Sequence, residues 1–303
     1  MSRRGWVLFA AMGVTWGIPY LLIKVAVDEL APSTLVLART VLAVTLLLPV
    51  AISRGRLPEV ARAWRPLLAF AAIEIAVPWV LLGVAEQQLS SSLTGLLLAA
   101  VPLVAAVLAV VTRADDRLDG RRLLGLLIGF AGVAALVGFE VGGGDAGAVL
   151  AMATVAVCYA VGPLILSRWL SHLPGLGVIT ASLAVTAVVY LPVGLAQAPS
   201  SWPSRDVVLS VVGLAVICTA VAFLVFFALI AEVGPTRSTV ITYVNPAVAL
   251  LLGVTLLDEA FTVATAVGFA LILAGSVLAT RRSGAVEPVD RPAESEVCVV
   301  AEP

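Results

Sequence analysis

Long apolar runs, each close to the length a helix needs to cross a bilayer, alternate along the chain with short polar or charged connections. Read this way, ten spanning helices fall at about residues 5–24, 33–52, 66–85, 92–112, 121–139, 147–167, 176–195, 207–230, 237–256 and 262–280, five in each half. The ninth run, within Thr236–Glu259, is interrupted by Asn245-Pro246 and closed by Asp258-Glu259. Sliding the chain so that Pro102 falls under Pro246 also sets Val104 under Val248, Ala105 under Ala249 and Leu108 under Leu252, with Ser92 under Thr236 and Asp115 under Glu259. The pattern predicts a repeat of about half the chain length.

Composition narrows the class. The chain is 61% hydrophobic and 12% charged, with mean hydropathy +1.11, against about 25% charged residues in soluble domains. It is therefore read as an all-α polytopic membrane protein. A net charge of −1 gives no basic surface for nucleic acid. Cys158, Cys218 and Cys298 are too scattered for a disulfide framework or a metal site, and the single histidine, His172, falls in a connection.

Basic residues set the orientation. With a cytoplasmic N-terminus, the arginines at 3–4, 54–65, 113–122, 168, 237 and 281–291 all lie inside, and Arg205 is the one outside. Both termini are then cytoplasmic, in a plasma or inner membrane. The apolar run after Arg3-Arg4 lacks the small-residue cleavage site of a signal peptide and is read as the first span. Five spans per half place the second repeat upside down relative to the first, as in many secondary transporters. The expected organisation is a five-helix repeat over 1–139, a glycine-rich outer linker at 140–146, a second repeat over 147–282 and a disordered, acidic tail at 283–303.

Several intramembrane residues could carry chemistry. Glu74 lies about eight residues into span three, roughly 12 Å deep at 1.5 Å per residue. A charged carboxylate is costly there and should face protein or water. It is either a proton-coupling or substrate-amine group, or a neutral acid bonded to a neighbouring helix. Arg39 either pairs with an acid across the bundle or attracts an anionic substrate. Lys24, the one lysine, either snorkels to the headgroups or pairs with Asp28 or Glu29. Pro102 and Pro246 free the carbonyls of Leu98 and Thr242, and Thr242, Tyr243 and Asn245 add polar groups beside the second break. Trp16 with Tyr20, Trp79 after Pro78, and Tyr159 before Pro163 offer an aromatic cavity wall, or plain packing. Gly125, Gly129, Gly132, Gly268 and Gly275 suit close helix contact, within the chain or across a homodimer.

Taken together, Thr15-Trp16-Gly17 with Lys24, Arg39, the Pro102 span followed by Arg113-Ala-Asp-Asp, and Thr242-Tyr243-Val244-Asn245-Pro246 followed by Leu257-Asp258-Glu259 resemble the EamA-type carriers of the drug/metabolite transporter superfamily. The resemblance covers about residues 5–282. It implies two inverted five-helix repeats that move a small metabolite, often outward, through a central cavity lined largely by spans one, three, four, six, eight and nine. The sequence departs from the family pattern at Asp115-Asp116-Arg117, where a glutamate is usual, and at Tyr159-Ala160, where Trp-Gly is expected.

The expectation is a secondary transporter for a small organic metabolite or drug, surrounded by membrane lipids and needing no cofactor. No nucleotide-binding P-loop is visible, and neither HExxH, a Ser-His pair nor a cysteine cluster supports a membrane-embedded enzyme. A sensor would call for a soluble output domain larger than the tail. A lipid flippase of the same fold is the rival within transport. The acids Asp258-Glu259 read as surface residues of an outer connection.

Overall fold

The computed structural model describes residues 1–55, 57–112, 119–140, 145–234 and 238–280, apart from the side chains of residues 139, 140 and 239. Among the described residues the fold is helical and without strands. Nine helices among the described residues are long and apolar enough to cross a membrane: α1 (Arg3–Val27), α2 (Pro32–Ser53), α3 (Trp64–Glu86), α4 (Ser91–Val111), α5 (Gly120–Gly138), α6 (Ala146–Leu170), α7 (Gly175–Ala196), α8 (Arg205–Val233) and α10 (Val263–Thr280). The ninth expected span appears as the shorter α9 (Val240–Leu256). It is shortened because its approach is a tight 3-10 turn over Thr239–Tyr243, and regular α-helix starts only at Asn245, with Pro246 at the first-turn position that proline tolerates. Asp115-Asp116-Arg117, most of the linker, Thr236 and the tail lie outside the described residues.

Helix starts carry their own signals. Ser2, Ser90 and Ser204 accept hydrogen bonds from the backbone N–H of Gly5, Leu93 and Val207, capping α1, α4 and α8. Interruptions follow proline in three places. Pro19 restarts α1 after Gly17, and α4 breaks at Ala99-Ala100 ahead of Pro102. In α3 a widened π-helical stretch, Ala71–Ala76, precedes Pro78. A second π-helical stretch of the same length, Val216–Val221, lies in the middle of α8 with no proline behind it.

The bundle is organised in pairs. α5 packs most extensively on α10, α2 on α7, and α4 on α9, whereas α3 packs on α6 and α1 on α8. Bare backbone makes the α5–α10 contact close: a Cβ on Gly275 would meet the backbone of Gly129, and one on Gly132 would meet the carbonyl of Gly268. These glycines are occupied within the chain. The outer surface is apolar, with Val188 71% and Leu127 61% exposed. Such a surface suits lipid rather than water.

Candidate functional site

The middle of the bundle holds Arg39 and Glu74. Arg39 is 6% exposed, with its guanidinium 3.6 Å from the Trp79 ring centroid and its Nε donating to Thr219 Oγ1 at 2.9 Å. Of the two readings for Arg39, pairing with an acid is not what the structure shows. Among the described residues the ion pair that forms joins Arg4 and Glu232. An aromatic face and a hydroxyl hold the buried cation instead, the former worth up to about 2 kcal/mol when desolvated. Thr219 is aimed by the π-helical stretch around it. Its hydroxyl donates to Leu214 O, five residues back, at 2.8 Å, and a lone pair remains for Arg39. Tyr20, Tyr159 and Cys218 are the other polar neighbours of the guanidinium.

Glu74 occupies the π-helical stretch of α3. Its Oε2 is buried without a hydrogen-bond partner, and the carboxyl is pressed against Gly162 of α6, where any side chain would collide with it. The expectation of a neutral acid bonded to a neighbouring helix therefore fails for Oε2. Tyr159, one turn from Gly162, lies among Tyr20, Glu74, Arg39 and Trp79. Nearby, Tyr190 of α7 donates to Ala76 O at 2.9 Å, satisfying backbone exposed by the irregular turn. The structure thus brings Tyr20, Arg39, Glu74, Trp79 and Tyr159 to one level and adds Thr219, for which the sequence carried no signal apart from a hydroxyl in a span.

The remaining candidates go elsewhere. Trp16 packs in an aromatic group on α8, 4.8 Å from Phe226 and 5.9 Å from Phe223 between ring centroids. Leu98 is buried in the core beside α4's break. The carbonyl recruited near Pro102 is that of Ala99, one residue beyond Leu98, and it accepts from Ser276 of α10 at 3.2 Å. That helix contact takes up the expected notch. Asn245, oriented so that its amide nitrogen faces carbonyls, donates to Gly13 O at 3.2 Å and Ile241 O at 3.0 Å. It joins α9 to α1 and quiets the broken turn before Pro246. Thr242 is half-buried in that turn, and Tyr243 reaches outward to Thr280 Oγ1 at 3.2 Å. Lys24 neither snorkels nor pairs with Asp28 or Glu29. Its Nζ donates to Glu86 O at 2.7 Å and Leu89 O at 3.1 Å, closing the end of α3.

Among the described residues, cavities lie at both ends of the bundle. One, of about 540 Å³, is bounded by the end of α2, the start of α7 and the last turns of α8, including Arg54 and Phe227. The other, of about 340 Å³, is lined by Lys24, Asp28, Gln88, Ser90 and Glu259. Among the described residues no group of three or more His, Cys, Asp or Glu side chains gathers as a metal site.

Comparison with known proteins supplies a family. The model of the EamA-like transporter family matches residues 3–138 and again 146–281. The chain is 30% identical to the uncharacterized inner membrane transporter YedA of Escherichia coli strain K12 over 282 residues, spanning 89% of this chain and 88% of that one. It is 28% identical to a probable terminal-alkyne amino-acid exporter of Streptantibioticus cattleyicolor, over 93% of this chain and 95% of that one. A solved crystal structure shares the fold, with a TM-score of 0.64 at 22% identity, over 92% of this chain and 97% of that one.

Proposed function

Since the chain belongs to the EamA-like transporter family and is a multi-pass membrane transporter, we propose that it is a secondary active exporter of a small organic solute, working by alternating access about Arg39 and Glu74. The observation that carries this reading is the central level itself. A guanidinium stacked on Trp79 and a carboxyl oxygen without a partner stand in the same dry region as two tyrosines. Buried charge without an opposite partner is expensive to keep, and in membrane proteins it marks substrate or ion pathways. A solute bearing a carboxylate and an amine has the complementary charges for Arg39 and Glu74, a chemistry in keeping with the amino-acid exporter among the relatives.

The two matched stretches and the helix pairing support two inverted five-helix repeats, with α9 completing ten spans, and the arginine bias supports cytoplasmic termini. The contacts of α2, α4 and α5 with their counterparts α7, α9 and α10 fit a two-fold relation whose axis runs among them. Such a relation requires the α3–α6 contact to be mirrored by α8–α1, as it is. The π-helical stretches of α3 and α8, counterparts in this scheme, are matched as well. Rocking of one repeat against the other would expose the centre to each side in turn. A homodimer, in this arrangement, would use faces other than the glycines of α5 and α10.

The test is flux of radiolabelled amino acids in proteoliposomes under an imposed pH gradient, comparing wild type with Glu74→Gln and Arg39→Met. Gradient-driven flux should fall at least tenfold in both variants. Unchanged flux in Glu74→Gln would remove that residue from the site, and transport confined to uncharged solutes would overturn the substrate class.

A further inference from the structure

Glu86, at the end of α3, is a second buried acid for which the transport reading has no role. It is 0% exposed and both carboxyl oxygens are buried without a hydrogen-bond partner. The nearby ammonium does not serve them, because Lys24 is committed to the carbonyls of Glu86 and Leu89. Across the helix ends, Glu259 from the α9–α10 connection grips the start of α4. Its Oε1 accepts from Ser91 N at 2.7 Å and its Oε2 from Ser92 N at 2.9 Å. This is a carboxylate on a helix N-terminus, where it is stabilised by the unpaired N–H groups and the dipole. The grip joins a residue of the second matched stretch to a helix of the first.

Its geometry is built in. Asp258 takes a left-handed conformation, φ 53°, which turns the chain back so that Glu259 N–H donates to Gly253 O at 3.2 Å. Position 253 has no side chain, and a Cβ there would run into the Glu259 carboxylate and the Ser92 hydroxyl. The charged and titratable groups facing Glu86 are Lys24 and Tyr20 from α1 and Glu259 from the α9–α10 connection. Asp28 stands with Lys24 and Glu259 around the 340 Å³ cavity.

We propose that Glu86 is a proton-binding site that governs the grip of Glu259 on α4: protonated, it lets this end of the transporter stay shut, and deprotonated, it drives the two halves apart. Around this cavity the single ammonium of Lys24 already faces two carboxylates, Glu259 and Asp28. An ionised Glu86 would be a buried, uncompensated negative charge beside this cavity, and a proton removes it. When Glu259 withdraws, its repulsion goes with it while the charge of Lys24 remains, so Glu86 gives up its proton. The shut state thus holds one more proton than the open state, and by linkage acid favours shutting and alkali favours opening. That this end is the outer gate rests on the topology proposed above.

The full chain in nanodiscs tests this without a substrate. Spin labels go on Gln88→Cys and Ala260→Cys, both exposed. Cys158 and Cys218 are buried and stay, while Cys298 is replaced by serine. Wild type should show one short separation in acid and gain a longer component in alkali. Glu86→Gln should keep the short separation throughout, and Glu259→Gln should show the longer component even in acid. A wild-type distribution indifferent to pH, or a pH response that survives in Glu86→Gln, would overturn the proposal. Wild type also answers alone through carbodiimide labelling, which modifies protonated buried carboxyls. The Glu86 peptide should be labelled in acid and spared in alkali, and absence of label at every pH counts against the site. Failure to find solute flux would defeat the transport reading while leaving both readouts interpretable.

Discussion

Arg39 and Glu74 show how far a residue can be understood from its position in a span. Depth alone marks both as costly charges, but what each touches comes from helices distant in sequence. For Glu74 the decisive neighbour is Gly162, whose missing side chain leaves room for the carboxyl. Gly162→Ala should destabilise the protein by about 1–3 kcal/mol, as overpacking does, read as a lower thermal midpoint in detergent. Adding Glu74→Ala to that variant should recover part of the loss, and strict additivity would mean that the two groups do not press on each other. For Arg39 the support is planar. Arg39→Lys keeps the charge but gives up stacking on Trp79 and the Nε bond to Thr219, so flux should drop while surface expression holds.

Elements are where the proline signals served well and where other signals were silent. Pro19, Pro102 and Pro246 each coincide with an interruption, where the ring without N–H drops a bond of the helical ladder, whereas Pro49 and Pro192 lie inside α2 and α7 without breaking them. The consequences were harder to see. Ser276 satisfies Ala99 O, and Asn245 satisfies Ile241 O and Gly13 O. Such pairings depend on how helices far apart in the chain come to lie together. Ser276→Ala and Asn245→Leu should each cost about 1–3 kcal/mol, the penalty for leaving a buried carbonyl without a donor, and chemical denaturation in micelles would register it. The π-helical stretch of α8 had no signal at all, for no proline follows it. At the α8 start, Glu29 accepts from Ser204 N at 2.8 Å, and its bonds to Ser204 hold its carboxyl below the usual range. The stability this lends is present above the ordinary glutamate pKa and is lost as pH falls through the lowered value. In Glu29→Gln that part of the acid-side dependence of the melting temperature should flatten.

For the whole molecule, the α5–α10 seam is the most demanding contact. Gly275→Leu would force the helices apart where its Cβ meets the backbone of Gly129, and loss of monodisperse protein in size-exclusion chromatography is expected. Orientation is open to a direct check. A cysteine at Ser201, in the connection between α7 and α8, should react with a membrane-impermeant maleimide in intact cells if the arginine bias is read correctly. Protection there until the cells are permeabilised would reverse the topology.

What the sequence determined by itself is the material of the fold: apolar runs of spanning length, their proline breaks and the family resemblance. These are local properties, fixed by the hydrogen-bonding needs of a backbone in hydrocarbon. What only the tertiary structure decided is which of the rare polar groups share a neighbourhood. It turned Tyr243 outward, spent Asn245 on a helix contact, gave Arg39 to Trp79 and Thr219, and set Glu259 on the start of α4 instead of leaving it a surface acid. The physical reason is that helix rotation and crossing are set by side chains from far along the chain. In a chain so uniformly apolar, little in the sequence says which face of a helix meets which.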